Sequence, residues 1–115
     1  NCAKNGDQRY HNHCNSFVSG TYYVNYDPEN HSPLKFENPL ISPTKPYMML
    51  NTETITQFNH EESYCQFIEE GDLVLWQSFL SHGYEINKKD ERISVSMNFV
   101  PSIIKSGPYT FRVQK

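Results

Sequence analysis

No stretch of the chain approaches the roughly 18 consecutive apolar residues that a membrane-spanning helix requires, and the mean hydropathy is −0.71. A membrane partner is not expected. Basic blocks are missing too: the formal net charge is −3 and the pI about 5.9. Such a balance offers no electrostatic footprint for nucleic acid. Cysteine is scarce, with only Cys2, Cys14 and Cys65. An odd count without a Cys-x-x-Cys pair does not make the even, tightly spaced framework of a secreted disulfide scaffold. Free thiols in a reducing, cytoplasmic compartment are the expectation; one disulfide with a spare thiol is the alternative. No signal-like segment opens the chain. It begins Asn1-Cys2 rather than with Met, as a fragment of a longer protein would.

What is abundant points to strands. Eight Tyr and seven Phe favour the pleated sheet, and seven Pro scattered along the chain argue against long helices. The 115 residues fit a single domain, 1–115. Residues 1–10 are polar and read as an edge or a frayed lead-in. Strands are expected at 17–26 (FVSGTYYVNY), 34–36, 64–68, 73–76, 92–100 (RISVSMNFV) and 109–113, with one or two more within 48–58. Turns are expected at 27–30 and 69–72, a loop at 37–47 around Pro39, Pro43 and Pro46, and a charged hairpin-like loop at 87–91. Many short strands with Pro and Gly turns mean a sandwich, jelly roll or barrel.

Three features carry chemistry. His11 and His13 are two residues apart, so in an extended segment both imidazoles point to one face and can share a metal ion. A pair of surface histidines has the same spacing. His82 follows an apolar strand; by itself it is a strand-end residue, and with the pair it completes a three-ligand face that leaves open positions. The last long strand alternates, with Arg92, Ser94, Ser96 and Asn98 on one side and Ile93, Val95, Met97 and Phe99 on the other. Either the polar side is solvated, or it lines the interior of a small barrel where Arg92 holds a carboxylate through two parallel hydrogen bonds.

Two long segments bear a resemblance. HNHCNSFVSGTYYV at 11–24 is similar to the opening motif His-x-His-Pro-x-Ser-x-x-Ser-Gly-Val-Tyr-Tyr of a bacterial and phage 2-oxoglutarate/iron(II) oxygenase group. GDLVLWQSFLSHGYEINKKDERISVSMNF at 71–99 resembles that group's closing motif, which runs from Gly-x-Leu-x-x-Phe-Pro-Ser-x-Leu-x-His to Arg-Ile-Ser-x-x-Asn. LKFENP at 34–39 resembles its middle strand. The resemblance implies an all-β, double-stranded β-helix of the jelly-roll or cupin-like kind, here lacking the N-terminal helices of longer relatives. It implies Fe(II) on His11, His13 and His82, and 2-oxoglutarate held by Arg92 with Ser94, Tyr22 and Asn98.

The pattern departs from the family in places. The wider superfamily uses His-x-Asp where this chain has His13, so either three histidines bind iron or a carboxylate arrives from elsewhere. Cys14 and Gln77 stand where the group has proline. The implied activity is that of a dioxygenase that consumes 2-oxoglutarate and O2 and oxidises a substrate the sequence does not identify. Two other classes compete with it: a three-histidine, cupin-like metalloenzyme with no need of Arg92 or Ser94, and a non-catalytic β-sandwich binding module.

Overall fold

The structure, a computed structural model, describes residues 1–37, 62–65 and 67–113. Among these the fold is all-β with no helix. Nine strands follow one another: β1 Gln8–His11, β2 Val18–Asn25, β3 Lys35–Glu37, β4 Glu62–Tyr64, β5 Leu73–Gln77, β6 His82–Tyr84, β7 Ile93–Phe99, β8 Ile103–Ser106 and β9 Tyr109–Arg112. The order β1-β6-β3-β4 makes one open sheet, β5-β2-β7 a second, and β8-β9 a separate hairpin. All pairings are antiparallel.

The core lies between the two larger sheets. Tyr23, Tyr26, Leu34, Ile68 and Trp76 are buried, with Phe36, Cys65, Val74 and Leu80 packed against them. Trp76 of β5 meets Phe36 of β3 edge-on at 5.6 Å between ring centroids and so joins the sheets. Each such side chain withdrawn from water contributes about 1.5–3 kcal/mol. The opposite face of the second sheet remains apolar and exposed, through Tyr22, Val24, Leu73, Leu75, Val95 and Phe99. The run at 73–76 is therefore a strand, but not one buried on both faces: Leu73 and Leu75 are 50% and 54% exposed while Trp76 is buried.

Residues 1–6 run back against the loop before β7. Cys2 forms an isolated bridge with Arg92. Asn87, fully buried, ties this region together: its backbone pairs with Asn5 and Gly6. Its Oδ1 accepts from the Ser32 amide at 2.9 Å and its Nδ2 donates to Cys2 Sγ at 2.9 Å. The three cysteines are free thiols.

Strands expected at 17–26, 34–36, 73–76, 92–100 and 109–113 appear with ends shifted by a residue or two. The one expected at 64–68 does not hold as drawn. Pairing with β3 covers Glu62–Tyr64, and Phe67 adopts a left-handed φ of 65°, which breaks the extended backbone before Ile68 enters the core. The polar lead-in contains a true strand, β1, and β8 was not anticipated. The loop expected at 37–47 and the strands at 48–58 lie outside the described residues, apart from Glu37, which ends β3.

Candidate metal centre and anion pocket

His11 ends β1 and His82 begins β6, and the two residues are direct cross-strand partners. Gly83 permits this: a Cβ there would stand 2.5 Å from the Gln8 carbonyl oxygen, so β1 can lie this close to β6 only against glycine. His13 lies just beyond β1, and its amide donates to the Ser78 carbonyl at 2.9 Å, which turns the segment back toward β6. Ring centroids are separated by 4.4 Å for His11 and His82, and by 5.1 Å from His13 to each of the others. One ring nitrogen from each lies within 4.8 Å of the other two. Among the described residues this is the group of His, Cys, Asp and Glu side chains placed to share an ion, and no carboxylate belongs to it.

Two of the rings are already oriented. His11 Nδ1 sits 3.0 Å from the Arg9 carbonyl oxygen and His82 Nδ1 2.9 Å from that of Leu80. A carbonyl only accepts, so Nδ1 carries the proton and Nε2 keeps its lone pair for a metal. Burial lowers the pKa of His82 below the ordinary imidazole value, and the nearby His11 and His13 lower it further against an opposing bond to Leu80. Neutral imidazole, the ligating form, is thereby favoured. Trp76, 4.7 Å away between centroids, and Phe36 wall the ring of His82.

The same cavity, about 100 Å³, is lined by all three histidines and by Arg92, Ser94, Ser96 and Asn98. The register explains this shared lining. Ser19, Thr21 and Tyr23 of β2 pair with Asn98, Ser96 and Ser94 of β7, and paired residues share a face. Since Tyr23 is fully buried, the polar side of β7 faces inward, while Val95 and Phe99 face outward and are exposed, and half-buried Met97 reaches the cavity's rim. Arg92 is deepest, at 3% exposure, and the strand becomes more open toward Asn98.

The guanidinium of Arg92 lies 4.1 Å from the centre of the Tyr84 ring and 5.4 Å from that of Tyr23. Its Nε is buried and has no hydrogen-bond partner among the described residues, as is also true of Tyr23 Oη and Trp76 Nε1. Burial pushes the phenols of Tyr23 and Tyr84 up to about 12, against the pull of the Arg92 charge, so both stay neutral donors. A buried guanidinium facing two neutral phenols, with an unused N–H, has the chemistry to receive an anion.

Ser94 and Asn98, expected beside Arg92, line the cavity with it. Asn98 is held from behind: Ser16 Oγ donates to Ser78 Oγ at 2.9 Å, Ser78 and Ser19 hydroxyls are 2.8 Å apart, and Ser19 Oγ donates to Asn98 Oδ1 at 2.8 Å. Tyr22 is a correction. It pairs with Val95 on the outward side, is 40% exposed, and does not line the cavity. The tyrosines near Arg92 are Tyr23, one position later and hence on the opposite face, and Tyr84. Alternation from Ser94 through the β2 pairing would have identified Tyr23; nothing local marks Tyr84.

A sequence-family model described as "Putative 2OG-Fe(II) oxygenase" matches residues 1–98. Comparison with curated proteins gave no match.

Proposed function

The chain belongs to the 2OG-Fe(II) oxygenase family whose model spans residues 1–98, and from that premise we propose that it is an iron(II)- and 2-oxoglutarate-dependent dioxygenase. His11, His13 and His82 hold the iron. Arg92 receives the far carboxylate of 2-oxoglutarate, with Ser94 and Asn98 as hydrogen-bonding neighbours. The two facing sheets are then those of a double-stranded β-helix, and residues 1–115 form one catalytic core. The observation that carries this reading is the unpartnered Nε of a buried Arg92 in the same cavity as three converging imidazoles.

Iron bound there would supply the redox chemistry by which O2 oxidises a C–H bond while 2-oxoglutarate becomes succinate and carbon dioxide. The protein's own part is orientation. Peptide carbonyls of Arg9 and Leu80 aim two imidazoles. Trp76 and Phe36 keep water from one side of His82. The Tyr84 ring stacks against the Arg92 guanidinium at 4.1 Å, and the Arg92 Nε–H, without a partner among the described residues, is available to a carboxylate. An all-histidine donor set also suits a cupin-like enzyme that uses no cosubstrate, but such an enzyme has no use for a buried arginine in its metal cavity. The three free thiols fit a reducing, cytoplasmic setting, and among the described residues no helix is long and apolar enough to cross a membrane.

The test is anaerobic titration of the Fe(II)-loaded protein with 2-oxoglutarate. A visible charge-transfer band that needs both components, followed by succinate release on admitting O2, is the expected result. Iron binding with no band and no affinity for 2-oxoglutarate would transfer the assignment to the cupin-like class.

A further inference from the structure

A second cavity, of about 280 Å³, opens beside the first. It is lined by Asn12, His13, Cys14, Ser16, Phe17 and Phe79, so His13 is common to both. Its walls are fastened to one another. The His13 amide donates to the Ser78 carbonyl, the Ser78 amide donates to the Phe17 carbonyl at 3.1 Å, and the Ser16 hydroxyl donates to that of Ser78. The segments carrying Phe17 and Phe79 are thus held in place although both rings are more than half exposed, at 56% and 61%.

The chemistry of the two cavities differs. The first contains the buried cation Arg92 and a row of hydroxyl and amide groups. The second has no Asp, Glu, Lys or Arg in its lining. Two phenylalanine rings, the Cys14 thiol, the Asn12 amide, the Ser16 hydroxyl and the His13 ring form it instead. Two phenylalanine rings with uncharged hydrogen-bonding groups beside them match an uncharged aromatic ring that has a hydrogen-bonding substituent. A carboxylate would find no Lys or Arg in this lining and would go to Arg92 instead.

We propose that this second cavity binds the primary substrate of the metal centre, and that the part it binds is an uncharged aromatic ring held between Phe17 and Phe79. The inference rests on the proposed metal site and adds the substrate class to it. A C–H bond on or next to the ring lies on the His13 side of the centre. In the reaction one atom of O2 enters that C–H bond to give an alcohol or phenol. The other enters succinate, and 2-oxoglutarate provides the two remaining electrons as it loses carbon dioxide. Asn12 receives or donates a hydrogen bond at the ring edge and fixes which carbon is presented.

The probe is 4-methylphenol, uncharged and carrying both ring and methyl C–H bonds. It is titrated into the metal-loaded, 2-oxoglutarate-bound protein without oxygen and followed by backbone amide NMR shifts, with alkylation of the exposed Cys14 by N-ethylmaleimide as a second reading. The expected shifts cluster on residues 12–17 and 78–80, and 4-methylphenol slows alkylation of Cys14. Phe17→Ala and Phe79→Ala each weaken binding about tenfold, the order of one lost aromatic contact, and Phe79→Leu weakens it less. Undiminished binding in both alanine variants, shifts that map elsewhere, no binding to the parent protein at millimolar probe, or equal affinity for cyclohexanol would each overturn the inference. Affinity for 2-oxoglutarate is measured on the same samples. Its absence from the parent protein would defeat the metal-site reading instead, while the probe titration still decides whether the cavity takes a ring.

Discussion

Replacing Arg92 by Met separates function from stability in a way that few other substitutions here can. In the free protein Arg92 is 3% exposed, with no carboxylate in ion-pair range among the described residues and Nε unpartnered. Its compensation is the Tyr84 face at 4.1 Å, worth about 2 kcal/mol when desolvated, set against a desolvation cost of several kcal/mol for a buried ion. Deleting the charge while keeping an apolar stem therefore removes the larger cost together with the contact that offsets part of it. The unliganded protein should be no less stable than the parent, where loss of one member of a true buried ion pair would cost about 3–5 kcal/mol. Binding of 2-oxoglutarate behaves oppositely, because its carboxylate would lose the only buried cation described in the cavity. A loss of about 3–5 kcal/mol is expected, roughly a 150- to 5,000-fold weaker dissociation constant. Arg92→Lys should fall between, since a point charge cannot reproduce two parallel hydrogen bonds. Denaturant unfolding of the metal-free protein and calorimetric titration of the iron-loaded one give the two numbers. Unchanged 2-oxoglutarate affinity would refute the anion assignment. Destabilisation by several kcal/mol with no ligand present would show that Arg92 is a structural cation.

Trp76 is the single tryptophan and its ring lies 4.7 Å from that of His82, so loading with Fe(II) or Co(II) should quench its fluorescence, and His82→Ala should abolish the quench. Gly83→Ala should push β1 off β6, because the new methyl would meet the Gln8 carbonyl; a cost of about 1–3 kcal/mol and weaker metal binding are expected, and a variant with parental metal affinity would show that β1 can shift without moving His11. Asp27 is held down to about 2 by hydrogen bonds from Asn30 and Lys89, then by the Glu29 amide. A depressed carboxylate stabilises the folded state above its ordinary value of 3.8 and loses that contribution as pH falls through about 2. Asp27→Asn should thus flatten the pH dependence of unfolding between those two values and leave the slope above them unaltered.

Alternation along a strand is a local property, and so are the features it reveals. Residues 17–26 and 92–100 declare their two-residue period without help from the rest of the chain, and His11, His13, His82 and Arg92 can be picked out by residue type and by their order in the resemblance. Local text does not decide which face of a strand turns inward. For β7 that choice came from pairing with β2, whose buried Tyr23 turns Ser94, Ser96 and Asn98 toward the cavity, and the same register moved the expected Tyr22 outside. The left-handed Phe67 and the first strand of the C-terminal hairpin, β8, left no recognisable mark in composition. Asn87 and Tyr84 look ordinary in the sequence. Their importance comes from partners more than fifty positions away, Cys2 and Ser32 for the one, and from the Arg92 stack for the other. The sequence by itself determined the strands' periods and offered His11 and His13 as candidate ligands on one face, because these depend on neighbours two residues apart. Only the tertiary structure decided that three imidazoles meet beside a buried guanidinium, because that meeting depends on β1 lying against Gly83 and on β2 pairing with β7.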